Sequence, residues 1–424
     1  MKIYSVGGSV RDQLLGVEIK DLDYLVVGST PEELEAANFK KVGQFPVFLH
    51  PLTLDEYALA RTEVKSGTGY GGFACAFGPD VTLEDDLLRR DLTINAIAKD
   101  DKGNLYDPYN GIQDIENRVL RHVSMAFADD PVRVLRVARF MSRYKKLGFN
   151  VADETMDLMS KMANDGCLDE LTPERIWKEL SRALLEDSPE VFFMTLRDCG
   201  ALAKVFPEID ALFGVEQNME HHPEGDAGIH TMMVVKRARE ISDDLAVIVA
   251  GLLHDLGKAL TPKDEWPKHI SHEINGIPLV TEFCNRLKVP SDIRVLSERV
   301  AELHLNSHRL MEMRAGSIIK VIEKLDAFRR PERIEQYVLS CQADAQGRLG
   351  HQNKPYPQAE LMRLAYVAAK SVSTGPLLER GYKGKKLGEM IRQERIKSVG
   401  LAISSFKTEQ SVNEDVDDNN EFCL

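Results

Sequence analysis

Lys2-Ile3-Tyr4-Ser5-Val6-Gly7-Gly8-Ser9-Val10-Arg11-Asp12, followed by Asp21-Leu22-Asp23-Tyr24-Leu25-Val26-Val27, predicts strand, glycine turn, short helix and second strand. Two glycines between strand and helix let backbone N–H groups approach phosphate oxygens, and Arg11 adds positive charge. Residues two apart on a strand share a face, so Asp21 and Asp23 converge while Leu22 points into the core. Paired carboxylates repel unless a cation sits between them, and Mg²⁺ prefers carboxylate and phosphate oxygens. Taken separately, the glycines are an ordinary turn and Asp-x-Asp is a solvated bend beside Lys20. Coupled about a dozen residues apart, they suggest nucleotidyl transfer assisted by two metal ions.

Outward from this stretch, short runs rich in Val, Ile and Tyr at 46–49 and 57–60 predict further strands. An α/β head therefore occupies roughly the first 120 residues. Beyond Asp130 strand signals almost vanish. Asp130-Pro131 and Thr172-Pro173 each place a capping side chain before a proline suited to the first helical turn, so the remainder reads as helix.

The 424 residues imply several domains, and 43% hydrophobic with 29% charged residues excludes a disordered chain. Six cysteines without a CxxC spacing read as small packing residues in a reducing compartment. No apolar run approaches the length of a membrane span and residues 1–7 lack a signal-peptide layout, so a cytoplasmic protein without a membrane partner is expected. A net charge of -13 argues against a polyanionic partner, but the average misleads. Residues 408–424 carry six acidic and no basic side chains, and are expected to be a disordered acidic tail. Residues 118–148 and 380–407 each hold eight Lys/Arg against two acids. The later zone reads about equally as a grip on a nucleic-acid backbone or as a solvated helix.

The first motifs continue in Glu84-Asp85-Asp86-Leu87-Leu88-Arg89-Arg90-Asp91-Leu92-Thr93-Ile94-Asn95-Ala96, Asp107-Pro108-Tyr109-Asn110-Gly111 and Asp129-Asp130-Pro131-Val132-Arg133. Together they resemble the ordered motifs of class II bacterial CCA-adding enzymes, tRNA nucleotidyltransferases of the DNA polymerase β superfamily. The resemblance reaches about residue 400. It implies a mixed-sheet head followed by an all-α neck, body and tail, with CTP and ATP as substrates, tRNA rather than DNA as acceptor, and Mg²⁺ at Asp21 and Asp23.

Asp91 and Asn95, four apart, are expected on one helix face where their tips hold a ribose, with Arg90 reaching the triphosphate. Gly8 and Arg11 belong to the phosphate loop. Arg133, Arg136, Arg139 and Arg143 fall on one helical stripe, opposite Val134, Val137, Ala138 and Met141. Such a stripe is usually a solvated face. The family motif instead puts Asp130 and Arg133 at the base of the incoming nucleotide. Cytosine and adenine both offer an amino donor beside a ring-nitrogen acceptor, which suits a carboxylate next to a guanidinium. The rival role for Asp130 is a helix cap. Asp129 stands where the family usually has Glu. Glu63 is a candidate third metal carboxylate.

Eight of the 11 histidines lie between His221 and His308, a clustering that asks for a metal. Ala250-Gly251-Leu252-Leu253-His254-Asp255-Leu256-Gly257-Lys258 sets adjacent His and Asp in an apolar helical context; His230 lies upstream, and His269, His272, His304 and Asp344 downstream. Mixed imidazole and carboxylate donors favour a transition metal such as Ni²⁺ over structural zinc. The order resembles the HD superfamily, implying His230, His254, Asp255 and Asp344 as ligands, catalysis through His254 and Asp255, and Lys258 as a charge partner. His304 reads as ligand or substrate contact, and His221, His222, His269 and His308 as surface or packing residues. In the resembling multifunctional enzymes this domain hydrolyses 2′,3′-cyclic phosphates, 2′-nucleotides and phosphomonoesters.

The expected division is a nucleotidyltransferase head at 1–135, helical neck and body at 136–225, HD domain at 226–330, tRNA-contacting helical tail at 331–407 and acidic end at 408–424, in a monomer or homodimer. Rivals are a poly(A) polymerase of the same superfamily, a non-catalytic RNA-binding protein, and an alarmone synthetase-hydrolase. In the last of these the HD part precedes the transferase motifs; here it follows them.

Overall fold

The computed structural model describes residues 1–19, 22–43, 46–65 and 73–421, with only the backbone described at 63–65, 73–75 and 410–421. Asp21 and Cys423, and the side chains of Glu63 and Cys75, lie outside the described residues. The chain forms two compact units, Met1–Pro207 and Glu208–Leu424.

In the first unit the strands are β1 (Lys2–Val6), β2 (Asp23–Val27), β3 (Lys40–Val42), β4 (Val47–Leu49), β5 (Glu56–Leu59), β6 (Arg61–Lys65), β7 (Phe73–Phe77), β8 (Ala98–Lys99) and β9 (Leu105–Tyr106). Seven of them make a mixed sheet in the order β3-β4-β5-β2-β1-β8-β9, while β6 and β7 form a separate ribbon. Only β2 and β5 run parallel in that sheet. Neighbouring residues of β2 feed opposite faces, as period-two geometry requires. Leu25 packs with Tyr4, Val6 and Leu87, and Val26 with Leu34, Phe48 and Leu59. Antiparallel pairing sets Ser5 opposite Tyr24, which brings the Gly7–Gly8 turn beside Asp23 at the start of β2.

The turn needs its first glycine. Gly7 has φ 66°, and a Cβ there would lie 2.9 Å from the Arg90 guanidinium. The helix Gly8–Leu15 follows directly.

Helix dominates after Asp130, apart from a short parallel pairing of Val119–Leu120 with Asn150–Val151. The Asp130 carboxylate accepts from Val132 N (3.2 Å) at the start of Val132–Tyr144, but the Thr172 side chain makes no cap bond for Pro173–Leu184. Helix Val132–Tyr144 packs against both Pro173–Leu184 and Glu190–Asp198, so the expected head–neck boundary at 135 falls inside one continuous helix.

In the second unit Ala227–Ile241, Leu245–Leu253, Ser291–His308 and Glu332–Gln346 form one helical core. The expected HD boundary at 330 is therefore too early. It would cut away Glu332–Gln346, whose inner face packs on the first two helices and carries Asp344. The last helix, Gly384–Glu421, extends through most of the acidic end that was expected to be disordered. No proline or glycine interrupts 401–421, and adding residues to an existing helix avoids the cost of nucleation. Within that helix Arg392 pairs with Glu323 and Arg395 stacks over Phe328 at 3.6 Å, so part of the later basic zone docks the helix. Among the described residues no helix is long and apolar enough to cross a membrane.

Candidate active sites

The first site is a cavity of about 870 Å³ in the Met1–Pro207 unit, lined by eleven Arg/Lys side chains against four carboxylates. That imbalance suits a polyanion. Gly8, Arg11, Asp23, Arg90, Asp91, Asn95, Asp130, Arg133, Arg136 and Arg139, ten residues expected from sequence, all reach it. The stripe of Val132–Tyr144 is no solvated face: Arg133 and Arg139 are only 8% and 6% exposed, while Val134 and Val137 are buried behind them.

Asp91 and Asn95 do meet, though not on one α-helix face. The preceding helix ends at Leu88 and a 3₁₀ turn spans Thr93–Asn95. Asn95 Nδ2 donates to Asp91 Oδ1 at 2.9 Å, Arg136 Nε donates to Asp91 Oδ2 at 2.8 Å, and Arg11 donates to Asn95 Oδ1. Burial opposes charge on Asp91, but the Arg136 guanidinium and the Asn95 amide hold its carboxyl well below the usual range. Arg90 lines the cavity while donating to fully buried Asp86 (3.0 Å) and to the Asn95 carbonyl. Its expected reach to a triphosphate is thus shared with a structural anchor. Arg133 donates to the carbonyls of Ala126 (2.8 Å) and Arg89 (2.6 Å), which fixes its guanidinium at the cavity wall.

Sequence reading missed Arg175, Lys178 and Arg182. They project from Pro173–Leu184 into the same cavity, and Arg175 Nη2 donates to Asp130 Oδ2 at 2.7 Å. Their spacing of three and four residues was the available signal.

The second site lies in the Glu208–Leu424 unit. Leu245–Leu253 is apolar on every side and wholly interior over Ala246–Leu253, so His254 and Asp255 at its end are 1% exposed. The Asp226 side chain caps Ala227–Ile241 and sets His230 in its first turn. His230 Nε2 lies 3.1 Å from Asp344 Oδ1 and 3.9 Å from Asp255 Oδ2; His254 Nε2 lies 3.1 Å from Asp255 Oδ2 and 3.7 Å from Asp344 Oδ1. His230, His254 and Asp344 therefore bring donor atoms together as one group able to hold a metal ion, with Asp255 Oδ2 within 3.9 Å of both histidines.

The His254 tautomer is set from outside. His254 Nδ1 donates to the Gly251 carbonyl at 2.7 Å, which only accepts, so the neutral ring keeps its Nε2 lone pair inward, and that nitrogen is buried without a hydrogen-bond partner. His230 Nδ1 contacts Glu224 Oε1 at 2.8 Å, and its Nε2 hydrogen-bonds Asp344 Oδ1. Orphaned imidazole nitrogen beside two carboxylates fits a divalent transition metal. Burial opposes charge on Asp255 and Asp344, yet neighbouring His254, Lys258 and His308 hold both carboxyls well below the usual range. Lys258 Nζ is 2.6 Å from Asp255 Oδ2.

Two histidines read as packing residues belong to this site. His308 Nε2 sits 2.6 Å from Asp344 Oδ2, and His222 faces Glu224 at 3.0 Å and lines the cavity. His304 and His308, four apart on one helix face, carried a readable signal. His222 and Glu224, in a loop, carried none. His269 and His221 also line this cavity, His269 held by the Thr261 hydroxyl and the Glu216 carbonyl and His221 exposed.

A polymerase-type head with a cationic nucleotide-sized cavity, joined to a helical unit holding a His/Asp metal pocket, defines a nucleotidyltransferase–HD architecture. Family models agree: residues 3–121 match the "Poly A polymerase head domain", 148–213 the "Probable RNA and SrmB- binding site of polymerase A", and 228–342 the "HD domain". The Multifunctional CCA protein of Alkalilimnicola ehrlichii is 54% identical over 400 residues, covering 94% of this chain and 97% of that protein; that of Acinetobacter baumannii is 54% identical over 410, covering 96% and 98%. The chain belongs to the family of multifunctional CCA proteins. Its fold is that of solved CCA-adding enzymes, including an apo form (TM-score 0.67, 19% identity, 96% of this chain and 92% of that one) and the Bacillus stearothermophilus enzyme in complex with CTP (0.64, 21%, 97% and 94%).

Proposed function

We propose that this protein adds C, C and A to the 3′ end of tRNA from CTP and ATP without a nucleic-acid template, and that its HD unit hydrolyses 2′,3′-cyclic phosphate, 2′-nucleotide and phosphomonoester ends. The cavity in which Asp23, the Gly7–Gly8 turn and the arginine stripe converge carries the reading.

Asp21 and Asp23 are the residues that would hold Mg²⁺, which when bound activates the attacking hydroxyl and steadies the pyrophosphate. The chain's own groups do the rest. Backbone N–H groups at the start of Gly8–Leu15, with Arg11 and Arg90, meet the triphosphate. Asn95 and Asp91, braced by Arg136, meet the ribose. Arg139 lines the same wall. Asp130 keeps acceptor capacity beyond its bonds to Arg175 and Val132 N, because a carboxylate has about four lone-pair sites, so it accepts the exocyclic amine of cytosine or adenine while Arg133 faces the ring nitrogen. Guanine and uracil present the reverse pattern and leave buried polar groups unpaired. In the HD unit, His230, His254, Asp255 and Asp344 would hold a divalent transition metal, with Ni²⁺ the best match to the donors; when bound it supplies a hydroxide near neutral pH. Lys258 and Arg348, both at the cavity wall, meet the phosphate. Exposed Lys383, Lys385 and Lys386 offer further contact to the tRNA backbone. Damaged 3′ ends would thus be cleared by the same protein that rebuilds them.

With CTP alone and a tRNA lacking its last three nucleotides, the purified protein should add two C residues. Absence of C incorporation there, with addition of A when ATP is supplied instead, would favour the poly(A) polymerase reading. Replacing Arg133 by Ala should narrow the preference for CTP and ATP over UTP and GTP by about tenfold or more, since one lost polar contact is worth roughly 1–2 kcal/mol, with a smaller change in KM. Unchanged selectivity would remove Arg133 from base reading.

A further inference from the structure

The wall of the cavity in the Glu208–Leu424 unit carries a buried hydrogen-bond donor without a partner among the described residues. Gln217 is 4% exposed and lines this cavity of about 170 Å³ together with Lys258 and Arg348. Backbone contacts fix its place. Glu216 and Asp226 pair as an antiparallel bridge, Gln217 N donates to the Gly225 carbonyl at 2.9 Å, and His269 meets the Glu216 carbonyl at 2.9 Å. Lys258 is placed by the glycine before it. A Cβ on Gly257 would fall 2.0 Å from the His272 carbonyl oxygen, so only glycine lets that turn pack on the helix His272–Arg286.

Lys258 decides how the Gln217 amide lies. An ammonium only donates, and Lys258 Nζ donates to Gln217 Oε1 at 2.5 Å while lying 2.6 Å from Asp255 Oδ2. The amide oxygen must therefore face Lys258, which turns the NH₂ group the other way. There Gln217 Nε2 is buried and has no hydrogen-bond partner among the described residues. Arg348 Nε, from the same cavity wall, is likewise buried and unpartnered among them. A buried donor without an acceptor is costly, so two such donors beside an ammonium point to an acceptor that the chain itself does not supply. A phosphate group meets that need: its non-bridging oxygens accept, and their charge suits Lys258 and Arg348.

We propose that Gln217 binds the phosphate of the substrate in the HD unit, its Nε2 donating to a non-bridging oxygen beside Lys258 and Arg348. The inference rests on the HD reading above but is tested separately from it. One amide then has two tasks, its oxygen holding Lys258 and its nitrogen holding substrate.

Two substitutions separate these tasks. Gln217→Glu keeps an oxygen for Lys258 but replaces the donor with an acceptor; Gln217→Met keeps the length and removes both. In the full-length protein each should raise KM for a 2′,3′-cyclic phosphate, and the inhibition constant of inorganic phosphate, by about tenfold or more, the worth of one hydrogen bond to a charged acceptor. CCA addition at the wild-type rate checks that both variants fold. Wild-type constants in Gln217→Glu with raised ones in Gln217→Met would make Gln217 a holder of Lys258 alone and overturn the inference. Unchanged constants in both variants would leave water as the amide's acceptor and overturn it too, as would a fall in kcat alone, the mark of a disturbed pocket rather than a lost substrate contact. In these three cases hydrolysis by the wild type keeps the HD reading intact. A wild type unable to hydrolyse the cyclic phosphate would overturn that reading, and this inference with it.

Discussion

Replacing His254 with alanine should lower hydrolysis of 2′,3′-cyclic phosphates and phosphomonoesters by about 10³-fold or more, a loss of roughly 4 kcal/mol in transition-state stabilisation, while CCA addition stays within about twofold of wild type. The size follows from what the imidazole does. Its Nε2 is a buried nitrogen lacking a hydrogen-bond partner, close to both Asp255 and Asp344. Alanine removes the nitrogen that lies 3.1 Å from Asp255 and 3.7 Å from Asp344. The head is untouched because every residue lining its cavity lies in the other unit. Steady-state rates with a cyclic nucleotide and with CTP plus truncated tRNA, measured on one preparation, check both halves. Equal loss of the two activities would refute separate sites.

Asp23→Ala has the mirror-image result. Nucleotide incorporation should fall by about 10³-fold or more, with hydrolysis by the HD unit unchanged. Asp23 opens β2 at the cavity wall, opposite the turn that precedes Gly8–Leu15, so its carboxylate stands where a triphosphate's counter-ion is needed. Asp23→Asn separates charge from shape: it keeps the side chain's volume but loses its anionic charge. If the carboxylate acts through a cation, Asn should be nearly as inactive as Ala, and raising Mg²⁺ should recover little. An Asn variant with near wild-type incorporation of CMP would show that the charge is not used and would end the two-metal reading.

Both predictions rest on residues legible before any coordinates, because local geometry carries them. The short apolar run Tyr24-Leu25-Val26-Val27 predicts a strand, which the burial of Leu25 and Val26 on opposite faces bears out. The helical stripe of Arg133, Arg136, Arg139 and Arg143 followed from spacing alone, and all four reach one cavity. Asp91 and Asn95 were paired for the wrong reason. Four-residue spacing suggested an α-helix, whereas a bend and a 3₁₀ turn bring them together, stabilised by Arg136 from a distant helix.

By itself, then, the sequence determined the strand–turn–helix at the start, the apolar helix ending in His254 and Asp255, and the identity of the principal chemical groups, since these depend on periodicity and residue type within a few positions. Only tertiary structure decided which distant groups share a site. Arg175 meets Asp130 across 45 residues, and His308 meets Asp344 across 36. The pairing of His272 with His304 spans 32 residues. Such meetings are set by how helices pack, through side-chain volumes and close contacts such as that at Gly257. No period along the chain encodes them.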